Sequence, residues 1–240
     1  MTLADLKVLV AGATGGVGRA VALRAAADGA TVQLIGRDEG RLEALRAEIA
    51  ATGASAYAAV ADATSAQQVH DAVASLHRQA GGIDVLVNSV GVNLKGRRLD
   101  QLDAEGWRSV VDGNLTSAFH LTQAVLPGFR ERRAGLLIHI SSVSAFVADL
   151  SGAAYQASKA GLEALARATA LETRGDGIRV TTISPGLIDT AFMRHRPVAP
   201  SPEELANALQ AEDVAEMCVA VMRLPARATV TEIVMRPTSQ

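Results

Sequence analysis

Short apolar runs recur along the chain, and between them apolar positions return every three or four residues. Leu6–Ala11, Thr31–Ile35, Ala56–Ala61, Ile83–Asn88, Leu136–Ser141, Ile178–Ile183 and a last run near Thr229–Met235 have strand length and are bounded by glycine or polar turns. The segments between them predict helices over Thr14–Asp28, Asp38–Thr52, Ser65–Gln79, Asp103–Arg130, Ala154–Arg174 and Glu212–Arg223. Ser201-Pro202-Glu203-Glu204 is a further helix start, with serine as cap, proline in the first turn and glutamate three residues on. Strands that are apolar without alternation are buried on both faces. Strand–helix alternation of this kind predicts an α/β fold, a doubly wound parallel sheet of about seven strands with helices on both faces. In such sheets ligands bind beyond the carboxyl ends of the strands.

A length of 240 residues without a repeat or a linker suits one domain over residues 1–240. The stretch Arg196–Pro202 falls inside a short substrate flap at about 191–212. Net charge is −2 with acids and bases interspersed, so no field for nucleic acid or an anionic membrane is expected. Cys218 is the sole cysteine, which excludes an intrachain disulfide and fits a reducing compartment; it is expected to be a small buried residue on a late helix. The N-terminal residues lack the basic start and apolar run of a signal peptide. No apolar stretch reaches the roughly 18–20 residues that span a bilayer, so a cytoplasmic protein is expected. The five histidines show no ligand spacing with cysteine or carboxylates, and no metal site is expected.

The first chemical signal is Gly12-Ala13-Thr14-Gly15-Gly16-Val17-Gly18, placed between the first strand and the first helix. Glycines there let the backbone turn tightly and approach a pyrophosphate, whose charge the helix N-terminus favours. At the end of the second strand an NAD site usually carries an acidic residue; here Gly36 is followed by Arg37, which suits a 2′-phosphate and therefore NADP(H) over NAD(H). Asp62, with Ala63, follows the third strand, where it can accept from an adenine amino group. The second signal is Tyr155 and Lys159, four residues apart on one helix face, with Ser142 upstream. A phenol of pKa about 10 exchanges protons poorly near neutrality, and a neighbouring cation favours its phenolate.

Together these features resemble the short-chain dehydrogenase/reductase family through nearly the whole chain. The family's Gly-x-x-x-Gly-x-Gly is met by Gly12, Gly16 and Gly18, and its Tyr-x-x-x-Lys by Tyr155 and Lys159. Asn88-Ser89-Val90-Gly91 stands where the family usually has Asn-Asn-Ala-Gly, with Ser89 and Val90 as departures in the cofactor wall. Asn114 matches a helix asparagine, Ser141-Ser142 the fifth-strand serine motif, and Pro185-Gly186-Leu187-Ile188-Asp189-Thr190 the segment that holds the nicotinamide carboxamide. The resemblance implies Tyr155 as general acid or base, with Lys159 lowering its pKa and bonding the nicotinamide ribose. It also implies that Ser142 polarises the substrate oxygen and that Asn114 holds a relay water. The implied activity is hydride transfer between NADP(H) and a carbonyl or secondary alcohol, in a homodimer or homotetramer.

The substrate side should be lined by 92–98, by 144–151 and by the flap after Thr190. Phe146, Val147, Leu150, Phe192 and Met193 suggest an apolar wall; Lys95, Arg97, Arg98, Arg194, His195 and Arg196 form a basic cluster on the same loops. Two other readings stand beside the first. One is an NAD-dependent or ketoacyl-carrier-protein reductase, for which Leu171 and Asp176 sit where arginines would face the carrier. The other is a non-catalytic nucleotide sensor or scaffold on the same fold.

Overall fold

In the computed structural model the strands run Lys7–Ala11 (β1), Thr31–Gly36 (β2), Ala56–Val60 (β3), Val85–Asn88 (β4), Gly135–Ile140 (β5), Ile178–Pro185 (β6) and Glu232–Met235 (β7). The helices are Gly16–Ala27 (α1), Glu39–Ala51 (α2), Ala66–Ala80 (α3), Ala104–Val111 (α4), Ser117–Arg132 (α5), Ala153–Glu172 (α6), Pro202–Ala206 (α7) and Ala211–Met222 (α8). The structure describes residues 2–238, with the side chains of Arg194 and His195 outside the described set. All seven strands join one sheet in the order β3-β2-β1-β4-β5-β6-β7, and each neighbouring pair is parallel. Chain direction across the sheet reverses between β1 and β4, which opens a crevice at their carboxyl ends.

Both faces of the central strands β1, β2, β4, β5 and β6 are buried. Val8 and Val10 of β1 face a core with α1, α2 and α8, including Val21, Leu42, Val214 and Val219. Leu9 and Ala11 face the opposite core, with Val69 and Leu76 of α3, Leu121 and Phe129 of α5 and Ala166 of α6. Each valine, leucine or phenylalanine among them contributes about 1.5–3 kcal/mol on burial. Double-sided burial is why the strands read as unbroken apolar runs.

The helix expected over Asp103–Arg130 is interrupted. A π-helical turn at Asp112–Thr116 separates α4 from α5, and Asn114 lies inside it. A π-turn inserts one residue into an otherwise helical rhythm, so apolar spacing does not reveal it. Leu115 of this turn packs over Gly161 of α6, Thr122 is buried, and Phe119 is exposed.

The flap is closed at its base. Asp189 N–H donates to Leu209 O (2.9 Å) and Leu209 N–H to Leu187 O (3.0 Å), pairing Ile188 with Leu209. Within it Ser201 Oγ accepts from Glu204 N–H, and the Glu204 carboxylate accepts from Ser201 N–H, a complete capping box at α7. Cys218 is fully buried on α8, and burial pushes its thiol up to about 12. Among the described residues no helix is long and apolar enough to cross a membrane, and no three His, Cys, Asp or Glu side chains gather as a metal set.

Candidate active site

A cavity of about 700 Å³ runs from the glycine loop to Tyr155 along the carboxyl ends of the central strands. At one end the chain leaves β1 through Gly12 at φ +75°, where a side chain would strike the Ser89 and Val90 backbone at 2.9 Å. A Cβ on Gly18 would come within 2.2 Å of Gly12 O, so the helix can start against the loop only as glycine. Ser89, the departure from the usual asparagine, donates from Oγ to Ala11 O (2.9 Å), fastening β4 to the start of the loop. This end is therefore a cradle of backbone, open along the wall formed by Thr14, Gly15, Gly16 and Val17.

Arg37 lines the same end, and so does Arg41, which the sequence reading passed over. Asp38 caps α2 by accepting from Arg41 N–H (3.0 Å), and the Arg41 guanidinium donates to Thr14 O. The cap places Arg41 one turn into α2, on the side of the loop. No motif spacing reaches it; the helix start at Asp38 was the available signal. Asp62 and Ala63 form the adjacent wall. Asp62 Oδ1 accepts from Thr64 N–H (2.9 Å) and Thr64 Oγ1 (2.8 Å), and these bonds, with the nearby Arg37 charge, hold its carboxyl below the ordinary range.

The other end is built from side chains distant in sequence. Tyr155 and Lys159 rise from α6, and Ser142 follows β5. Lys159 Nζ donates to Ile140 O (2.9 Å) and stands 5.8 Å from the Tyr155 ring centre. Burial pushes the Tyr155 phenol up to about 12, opposed by its hydrogen bond with Ser142 and by Arg97 and Arg196. At the phenol desolvation outweighs the lowering expected from a neighbouring cation, and desolvation takes Lys159 itself down to about 8. Glu163, one further turn along α6 and buried, opposes that fall; its Oε1 accepts from Ser184 Oγ (2.8 Å). Glu163 was missed because a charged residue at helical spacing reads as a solvated face.

Two expected site residues lie behind the wall. Asn88 Oδ1 accepts from Val90 N–H (3.1 Å), while Nδ2 meets His139 Nδ1 (3.3 Å), so Asn88 braces the turn from beneath. Asn114 Oδ1 accepts from Val92 N–H (2.7 Å), and its Nδ2 donates to Val92 O (3.0 Å) and Ser158 Oγ (2.9 Å). It nevertheless adjoins Lys159: a Cβ on Gly91 would lie 3.6 Å from Asn114 Oδ1 and 3.7 Å from Lys159 Nζ. Gly91, Pro185, Gly186, Ile188 and Thr190 line the cavity between the two ends.

Of the expected substrate wall, Val147, Phe192 and Met193 line the cavity, with the Phe192 ring 6.2 Å from that of Tyr155. Phe146 and Leu150 instead point outward, Leu150 being 93% exposed. A run of hydroxyls continues from Ser142 through Ser144 (3.2 Å) to Asp149 Oδ2 (2.6 Å), with Ser151 Oγ 3.1 Å from Ser144. The basic cluster divides. Arg97 and Arg196 line the cavity, whereas Arg98 is exposed and pairs with Asp100 (3.1 Å), and Lys95 does not line it. Arg194 and His195 lie outside the described side chains.

The chain matches the short chain dehydrogenase family over residues 6–199 and belongs to it. It is 32% identical over 237 residues to an uncharacterized oxidoreductase of Staphylococcus saprophyticus, covering 98% of each chain. Among solved structures it resembles an alcohol dehydrogenase from the archaeon Thermococcus sibiricus complexed with 5-hydroxy-NADP (26% identity, 98% and 97% coverage, TM-score 0.89). It also resembles a serine dehydrogenase in a closed form complexed with NADP+ (32% identity, 98% and 96% coverage, TM-score 0.90). The protein is an oxidoreductase of this family.

Proposed function

We propose that the protein is an NADP(H)-dependent oxidoreductase interconverting a carbonyl and a secondary alcohol, formed by residues 1–240 as one domain with the 191–212 flap over the substrate. The observation that carries this reading is one cavity with a backbone phosphate cradle flanked by Arg37 and Arg41 at one end and Tyr155, Ser142 and Lys159 at the other. NADP(H) is favoured by those two guanidiniums, by the absence of a carboxylate at Gly36, and by the NADP-type ligands of the related structures. Gly12–Gly18, Asp62, Ala63, Ser89, Gly91, Pro185, Gly186, Ile188 and Thr190 would hold the dinucleotide along the wall they form.

When bound, the reduced nicotinamide supplies a hydride to the carbonyl carbon. Tyr155, protonated across the neutral range with a pKa of about 12, gives its proton to the carbonyl oxygen; Ser142, hydrogen-bonded to the same phenol, aligns that oxygen. Lys159 would bond the nicotinamide ribose and stabilise the resulting phenolate. Asn114 fixes the Val92 backbone beside Lys159 and would order the water that returns the proton. In oxidation the same groups run in reverse. Assembly as a homodimer or homotetramer and a cytoplasmic location complete the reading, with exposed Phe119 available to an interface.

Fluorescence titration with NADPH and NADH, followed by a carbonyl and alcohol panel at the nicotinamide absorbance band, tests the proposal. Tighter binding of NADPH and turnover of a carbonyl are expected. Tighter NADH binding would return the cofactor assignment to NAD, and binding without any turnover would favour a nucleotide sensor.

A further inference from the structure

Ser142 stands at the head of a row of hydroxyls that ends on a carboxylate, and the donors along that row can be assigned. Asp149, as a carboxylate, can only accept. The 2.6 Å bond from Ser144 Oγ to Asp149 Oδ2 therefore uses the one hydroxyl proton of Ser144, in a short charge-assisted link. Toward its other neighbours Ser144 Oγ offers lone pairs alone. It accepts from Ser142 Oγ (3.2 Å), and Ser151 Oγ, 3.1 Å away, must donate to it as well. Ser144 N–H in turn donates to Ser142 Oγ (3.1 Å), which leaves that oxygen one lone pair for its bond with Tyr155.

The carboxylate is held in place although its residue is exposed. Ser151 N–H donates to Asp149 Oδ1 (2.8 Å), Gln156 Nε2 of α6 to Asp149 O (2.9 Å), and Asn93 Nδ2 to Ser151 O (3.1 Å). Ser142 and Ser144 are buried, where a low local dielectric strengthens such links. Polarity then runs one way, from the Tyr155 phenol through Ser142 and Ser144 to Asp149. A phenol can donate into this row; a phenolate cannot. To stabilise the phenolate, Ser142 must turn its proton from Ser144 to Tyr155. The 3.2 Å link is the longer of the two hydroxyl bonds and the one that breaks, while the 2.6 Å anchor holds. Behind the dominant effect of burial, the groups around the phenol show the same opposition: the bond with Ser142 lowers its pKa, Asp149 raises it, and Arg97 and Arg196 lower it. Lys159 Nζ lies 5.8 Å from the ring centre.

We propose that Asp149, acting through Ser144, is a positioning residue of the reaction: it directs the Ser142 hydroxyl and so keeps the proton on Tyr155 until a substrate oxygen takes it. The row thus favours the protonated phenol, the form that begins carbonyl reduction. As Tyr155 gives its proton to the carbonyl oxygen, Ser142 exchanges Ser144 for the phenolate just formed, and Ser144 stays bound to Asp149. This inference rests on the carbonyl/alcohol reading of the site.

The test follows alcohol oxidation, which needs the phenolate, against pH in the parent, Asp149→Asn and Ser144→Ala, with NADP+ and either 2-butanol or 1-phenylethanol. Alongside it, the phenolate absorbance of the NADP+-loaded protein is titrated by pH jump. Tyr155→Phe serves as the blank, because Tyr57 is the other tyrosine of the chain. In both variants the rise of oxidative kcat/KM and the Tyr155 phenolate are expected at a pH lower by about half a unit to one unit than in the parent. A phenolate titration unmoved in both variants overturns the proposal whatever happens to kcat, and turnover of either alcohol then preserves the oxidoreductase reading. A shift in Asp149→Asn alone makes Asp149 a through-space charge and overturns the path through Ser144. A phenolate shift in both variants without turnover of either alcohol sustains the row and removes the proposed activity.

Discussion

The two ends of the cavity are built on opposite principles. The glycine-loop end consists of backbone and exposed guanidiniums: Gly12 and Gly18 make room, and Arg37 and Arg41 stand in solvent at the start of α2. The Tyr155 end consists of the half-buried Tyr155 and buried Lys159 of α6, buried His139 of β5 and buried Asn114 of the π-turn, and Tyr155, Lys159 and His139 are all displaced from their ordinary protonation behaviour. The first end recognises charge by geometry close to water. The second changes the acidity of its groups by removing water. An identical charge therefore does different work at the two ends: Arg37 is screened, whereas Lys159 loses its proton far more readily than a free lysine.

The sharpest way to break this contrast is at the phenol. Tyr155→Phe is expected to lower turnover about 10²–10⁴-fold with NADPH affinity nearly intact, checked by steady-state kinetics and fluorescence titration. A matching loss of cofactor affinity would mean that the two ends are not separable. At the other end, Arg37→Asp is expected to weaken NADPH about 10–100-fold and NADH far less, since a charge-assisted bond to phosphate contributes about 1.5–3 kcal/mol. Equal weakening of both nucleotides would assign Arg37 to the surface only.

Two smaller effects probe the buried end. Lys159 keeps its charge below about 8, so reductive kcat/KM is expected to hold through neutrality and fall above that pH. Because Glu163 raises the Lys159 pKa, Glu163→Gln should move the fall downward by roughly one unit; an unmoved profile would leave Glu163 a packing residue bonded to Ser184. His139, fully buried on β5, is held near 4 by burial first and the Lys159 charge second. Between about 4 and the unfolded value near 6.5 the unfolded chain binds the extra proton, so stability is present above 6.5 and is lost as pH falls toward 4. The loss is on the order of 3 kcal/mol, to be read from urea unfolding at stepped pH, and His139→Asn should flatten that part of the curve.

The site was legible in proportion to how local its signals are. Gly12 to Gly18, Arg37 and the Tyr155–Lys159 spacing sit in short runs whose geometry follows from helix pitch and strand–turn–helix order. Arg41 escaped notice because its placement depends on the Asp38 cap folding it toward Thr14. Glu163 and His139 escaped because burial of a charged or titratable side chain depends on what packs over it. The basic cluster was visible as a group, but its division into cavity-facing Arg97 and Arg196 and outward-facing Arg98 came from the loops' tertiary path.

By itself the sequence determined the order of strands and helices, the parallel sheet, the glycine turn and the identities of the groups that can exchange a proton. Those depend on φ/ψ freedom, side-chain period and chemistry within a few residues. Only the tertiary structure decided the π-turn at Asn114, the desolvation of Tyr155 and Lys159, and which arginines line the cavity. Burial and field are sums over neighbours brought from every part of the chain, and no local window contains them.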